Sequence, residues 1–171
     1  DARGFAFYGA EAIEAYRTGS DPVLYPNVNW VDEMYKNSSS NTRVSTNISG
    51  GSKGFRYYVS GSFYTEGGLF INDNMKEYNT SLSYSQYRFR SNSDIDIFKY
   101  TTVNVNLATS FEKKNEPGTK GSEIWKYALL TPSNRFPMVY PDGSLPGPGD
   151  RQGFNPYSLL TQTGYAERFW N

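Results

Sequence analysis

The sequence contains no cysteine and no histidine. Without cysteine there is neither a disulfide framework nor a thiolate site. Without histidine the chain lacks the commonest general base and the commonest metal ligand. No apolar run approaches the roughly 20 residues that a membrane-spanning helix needs. A charge excess is missing too: 17 Lys and Arg balance 17 Asp and Glu. No field therefore favours nucleic acid or anionic lipid, and no basic run resembles an arm or tail. Apolar residues make up only 37%, and mean hydropathy is −0.67. Aromatic residues, by contrast, reach 17%, with 15 Tyr and 11 Phe, too many for a disordered chain. Tyrosine joins an apolar ring to a polar tip and suits a surface that meets both membrane and water. The chain opens at Asp1 with neither Met nor signal sequence, as expected of a mature or internal fragment.

Three zones follow one another. Residues 1–41 hold a short helical pattern over 9–16 (GAEAIEAY), broken by Gly19 and Pro22, and then a loop with Tyr25-Pro26 and Trp30. Residues 42–111 are strand-like throughout. Residues 112–171 hold most of the proline and much of the glycine, with a short helix expected near 123–130. Ser122 is placed to cap that helix, and Pro132 lies just past its end. The GSDP and KNEPG stretches are turn chemistry.

The middle zone decides the class. Val44, Thr46 and Ile48 alternate with Arg43, Ser45 and Asn47. Phe55, Tyr57, Val59, Gly61 and Phe63 alternate with Arg56, Tyr58, Ser60, Ser62 and Tyr64. The same period places Tyr87, Phe89, Ile95 and Ile97 against Arg88, Arg90, Asn92, Asp94 and Asp96. It also places Val103, Val105, Leu107 and Phe111 against Asn104, Asn106 and Ser110. A two-residue period predicts strands over about 42–49, 55–64, 87–97 and 103–111, the length of tilted outer-membrane strands. A soluble β-sandwich alternates as well. Two features favour a barrel wall. Aromatics on the apolar face cluster at strand ends, leaving Val59, Gly61, Val105 and Leu107 between them, as in paired aromatic girdles. The other face carries Arg, Asp and Asn, which a wet lumen accepts.

The connections alternate between short (50–54 and 98–102) and long (1–41, 65–85 and 112–171). Outer-membrane barrels have short periplasmic turns and long extracellular loops, so the short set is expected at the periplasmic rim and the long set outside the cell. Four strands cannot close in lipid, where every edge must pair. The chain is therefore expected to be an internal panel of a larger antiparallel transmembrane β-barrel, an all-β fold.

Several phrases carry a family resemblance. Tyr25-Pro26-Asn27-Val28-Asn29-Trp30 with Asp32-Glu33 resembles the YPN-x-DW-x-DE stretch of the SusC/RagA class of TonB-linked outer-membrane proteins. Ser49-Gly50-Gly51, Tyr57-Tyr58-Val59-Ser60-Gly61-Ser62 and Tyr64-Thr65-Glu66-Gly67-Gly68 are similar to its first complete hairpin. Arg88-Phe89-Arg90-Ser91-Asn92 with Asp94-Ile95-Asp96 resembles its "YRSNLDID" strand. Thr131-Pro132, Asp142-Gly143, Asn155-Pro156-Tyr157 and Gly164-Tyr165 are similar to its long third loop. The resemblance covers nearly the whole chain in order, and position 29 is Asn where Asp is commoner. It implies a barrel of about 22 strands with a plug that imports oligosaccharides or peptides with energy passed through TonB. It also implies a SusD-like surface lipoprotein as lid. The plug and TonB-contacting parts would lie outside this sequence.

No catalytic residue, metal site or cofactor is expected. Asp94 and Asp96 share one face about 7 Å apart and are expected to pair with arginine. Arg43, Tyr64, Arg88 and Arg90, on the polar face, are candidate lumen contacts for a solute. Trp30, Trp125, Tyr140 and Tyr157, in the loops, are candidates for stacking on sugars or packing against a lid. Long loops need small cores of their own, so packing within the loops is the expectation for most of them. Alternatives are a secreted β-sandwich that binds glycans and a passive porin.

Overall fold

The computed structural model describes residues 7–72, 79–147 and 154–171. The chain divides into two compact units. One comprises Asn37–Glu116 and Tyr165–Asn171, the other Asp1–Lys36 and Pro117–Gly164.

The first unit is an all-β sheet of five strands: β1 (Asn41–Ser52), β2 (Phe55–Gly67), β3 (Ser83–Phe98), β4 (Thr101–Pro117) and β5 (Tyr165–Trp170). They lie side by side in sequence order, and β1 to β4 pair antiparallel throughout. Two-residue connections, Lys53-Gly54 and Lys99-Tyr100, close the hairpins at one end. Gly54 adopts φ 95 there, a conformation a β-carbon would strain. Next to the second hairpin the register slips between Asp96 and Phe98, a bulge that leaves Ile97 as the extra residue. All longer connections leave from the opposite end, where Asn41, Glu66, Tyr84 and Lys114 align.

The register sorts side chains into rows. On the apolar face, Val44, Phe63, Tyr87 and Phe111 form one row, and Ile48, Val59, Ser91 and Leu107 form another nearer the tight turns. None of these is buried, and five of the eight are exposed. β1 is exposed along its whole length, and Ile48, Leu107 and Val105 keep 63%, 56% and 51% of their surface open. A soluble domain would bury such a face.

The strands run further than their alternating segments. β3 begins at Ser83 rather than near Tyr87, and β4 continues through Glu112-Lys113-Lys114-Asn115-Glu116. Tyr165–Trp170 lies in a stretch expected to be loop and is instead a strand. Its aromatics fall on both faces, so no clean period marks it. Lys113 binds Glu167 at 2.8 Å and Phe111 meets Phe169 at 5.9 Å, so β5 also runs antiparallel to β4. Part of the expected 65–85 connection lies outside the described residues. In its described part, the buried Asn115 donates to the carbonyls of Asn79 and Ser81 at 3.0 and 2.7 Å.

The second unit holds four short helices: α1 (Ala10–Thr18), α2 (Trp30–Met34), α3 (Gly121–Leu130) and α4 (Pro156–Thr161). α1 ends at Gly19, which takes the left-handed conformation and donates to the Ala15 carbonyl. The Asn29 side chain caps α2 by accepting from Asp32 N. Ser122 does not cap α3. That helix starts at Gly121, with Lys120 at the cap position and its carbonyl accepting from Glu123 N and Ile124 N. Ser122 thus falls inside the first turn. α3 packs against α2 and α4. Ile124 and Ala128, one turn apart, share its buried side. Trp30, Met34, Phe136 and Leu160 complete this small core. Among the described residues no helix is long and apolar enough to cross a membrane.

Candidate functional site

The polar face of the sheet gathers charge into two bands. Near the tight turns, Arg56 lies opposite Asp94 and reaches both carboxylates of β3, Asp94 at 3.5 Å and Asp96 at 3.8 Å. Asn104 adds a 2.6 Å bond to Asp94, and Thr102 a 2.7 Å bond to Asp96. The two aspartates thus face an arginine and two neutral donors, an arrangement of structural pairing rather than a free acid–base couple. At the other end Arg43 faces Tyr64 in register, its guanidinium 5.2 Å from the ring centre. The Tyr64 hydroxyl donates to Glu66. Gln86 donates to Glu112, which also accepts from Ser110 at 3.5 Å. Glu116 is held by Lys114 and, at 3.4 Å, by Arg168.

Between these bands stand Arg88 and Arg90. Arg88 lies between Ser62 and Ser110, and Arg90 between Ser60 and Ala108. Every cross-strand neighbour is small, so the two guanidinium groups stand over an open trough of about 590 Å³. Among the described residues no carboxylate lies within ion-pair distance of either one. Of the four polar-face candidates, then, Arg43 and Tyr64 are joined in one row near the rim. Arg88 and Arg90 share a separate site nearer the middle. The serines that make the trough passed unnoticed as site residues, because the alternation assigns them a face but not their cross-strand partners.

The loop aromatics separate by burial. Trp30 is 3% exposed; its ring meets Phe136 edge-on at 5.6 Å and its indole N–H donates to the Pro132 carbonyl at 3.5 Å. In this position it is a packing residue, since stacking on a solute would require unpacking the unit. Trp125 is half-exposed on α3 and meets Tyr35 edge-on at 5.0 Å. Tyr35 is itself sheltered, and burial pushes its phenol up to about 12. Tyr140 is half-buried at the mouth of a tight turn, where its N–H donates to the Ser144 carbonyl and its carbonyl accepts from Gly143. Asp142 in that turn is held below the usual carboxylate range by the Ser144 hydroxyl and amide. Tyr157 is half-buried in the first turn of α4. Asn155 fixes that turn: its side-chain oxygen accepts from Tyr157 N and Ser158 N, and its amide donates to the carbonyls of Met138 and Pro146. Asn155 is almost fully buried; the sequence marks it only as part of the third-loop phrase Asn155-Pro156-Tyr157.

Sheet and faces define a class, an all-β antiparallel panel with one bare apolar face and one polar, charge-bearing face. Over 95% of its length the chain is 34% identical to the TonB-dependent receptor P3 of Formosa agariphila, and it spans 16% of that protein. No protein-family model and no solved structure matches the chain.

Proposed function

We propose that the chain is a segment of the wall of a bacterial outer-membrane importer driven through TonB, and that it is not an enzyme. The observation that carries this reading is the bare apolar face. Val44, Ile48, Leu107 and Val105 are exposed on a sheet whose opposite face holds the charges, which suits lipid outside and water inside. A row of rings supports it: Phe63 meets Tyr87 at 4.9 Å, Tyr87 meets Phe111 at 6.2 Å, and Phe111 meets Phe169. Phe55 and Tyr57, stacked at 5.7 Å, stand toward the tight turns. From Phe63 to Phe55 a strand rises about 27 Å. Tilted by about 40°, that spans an apolar band about 20 Å tall, near the height of such barrels. A glycan-binding sandwich would need a second sheet over this face.

The finer reading follows the resemblance to the SusC/RagA class. The tight turns lie at the periplasmic rim and the long connections outside the cell. A SusD-like lipoprotein covers the mouth, and the solute is an oligosaccharide or peptide. The likeness to a TonB-dependent receptor supports the transport role.

The test uses the full-length parent protein in its own membrane. It should fractionate with the outer membrane. A cysteine at Leu107 should react with a lipid-soluble maleimide and resist a membrane-impermeant one. Recovery of the folded parent as a detergent-free soluble monomer would overturn the reading.

A further inference from the structure

Arg88 and Arg90 present two positive charges on one face of one strand, about 7 Å apart along it. Every described carboxylate on that face already has other partners: Asp94 and Asp96 hold Arg56, Glu112 holds Gln86, Glu66 holds Tyr64, and Glu116 holds Lys114. The residues flanking the two arginines across the ladder are serines and an alanine, too short to reach or shield them. Two like charges side by side repel, and among the described residues no carboxylate pairs with either arginine within ion-pair distance. A bound oxyanion would relieve that repulsion, and guanidinium groups match carboxylate and sulfate with paired hydrogen bonds.

We propose that Arg88 and Arg90 form an anion-selective site for an oligosaccharide carrying carboxylate or sulfate groups. The inference rests on the reading that this face lines a wet lumen. The trough favours a sugar over an acidic peptide. Ser45, Ser60, Ser62 and Ser110 offer hydroxyls that both donate and accept, as sugar hydroxyls do, and Tyr58 adds a ring at the margin. A peptide is commonly recognised through its backbone at a free strand edge. Here the backbone groups of β2, β3 and β4 are already used in the ladder.

The test uses the full-length parent in detergent, titrated with tetragalacturonate, a sulfated carrageenan tetrasaccharide, maltotetraose and tetraglutamate. Both acidic sugars should bind, more weakly as salt rises, and maltotetraose should bind far less. Double substitution of Arg88→Gln and Arg90→Gln should weaken acidic-sugar binding by about tenfold or more. Arg56→Gln, at the paired band, should leave it unchanged. Equal binding of acidic and neutral sugars, acidic-sugar binding unaltered in the double variant, or preference for tetraglutamate would each overturn the proposal. An Arg88→Cys variant separates its failure from that of the lumen reading. Labelling by a membrane-impermeant maleimide supports the wet face whatever the sugars do. Labelling only by a lipid-soluble one overturns the lumen reading and this proposal together. Resistance to both means that another part of the parent fills the trough, which overturns this proposal alone.

Discussion

Tyr87 and Phe111 stand directly opposite each other in the β3–β4 register, their ring centres 6.2 Å apart. With Phe63 on the other side of Tyr87 they set the level at which the apolar face gives way to polar strand. Beyond it come Ser85 and Ser83 on β3 and Lys113 on β4. Leu107 lies two rows below Phe111 on the same face, in the middle of the band.

This difference in depth predicts a difference in cost. In the full-length parent, Leu107→Arg should destabilise by about 2–4 kcal/mol, and Phe111→Arg should lose only about 0–1 kcal/mol from its charge, beside any lost packing. Denaturant titration in lipid vesicles measures both. Equal costs at the two depths would contradict the assigned band.

Trp30 and Trp125 should part company. Trp30→Ala removes a buried ring and should cost about 3–5 kcal/mol of local stability. Trp125→Ala, at a half-exposed site, should cost markedly less. Limited proteolysis of the α2–α3 region gives the readout, with cleavage accelerated in the first variant only.

Asn155 makes four hydrogen bonds from a buried side chain. Asn155→Ala should destabilise its unit by about 2–4 kcal/mol through the lost cap and two orphaned carbonyls. Asn155→Asp keeps the cap acceptors but loses the amide donors to Met138 and Pro146. It should therefore remain destabilised while preserving amide protection at Tyr157 and Ser158 in hydrogen exchange.

Tyr35 predicts an alkaline limit. Its folded pKa, about 12, lies above the usual value near 10 because burial disfavours the phenolate. The neutral form is favoured by folding, so its contribution is fully present below about pH 10 and is lost as pH rises through about 12. Protease resistance of the helical unit should fall across that window, and Tyr35→Phe should flatten the fall. An identical profile in the variant would show that other groups govern it.

How far the sequence can be read depends on what each residue faces. Between Phe55 and Phe63, or Val103 and Phe111, one face is apolar or small and the other polar, so a two-residue period stands out. At Ser83–Gln86 and Glu112–Glu116 both sides suit water, and strand continues with no period to announce it. β5 is hidden for the converse reason, with Phe169 and Trp170 on opposite faces. Asn29 and Asn155 are ordinary polar letters until a helix begins beside them. The arginine site needed the register: Arg88 and Arg90 share a face by alternation alone, but only pairing with Ser60, Ser62, Ala108 and Ser110 reveals the space around them. The exposed helix α1, with its Glu14–Arg17 pair, is by contrast visible in its helical pattern and the break at Gly19.

Among the described strands β1 is partnered on one side only, by β2. The outward-pointing amides and carbonyls of that edge would each cost several kcal/mol if left bare in hydrocarbon. Such a wall cannot enter a bilayer one hairpin at a time. On the proposed reading its insertion would be concerted, with the seam closed as the wall enters.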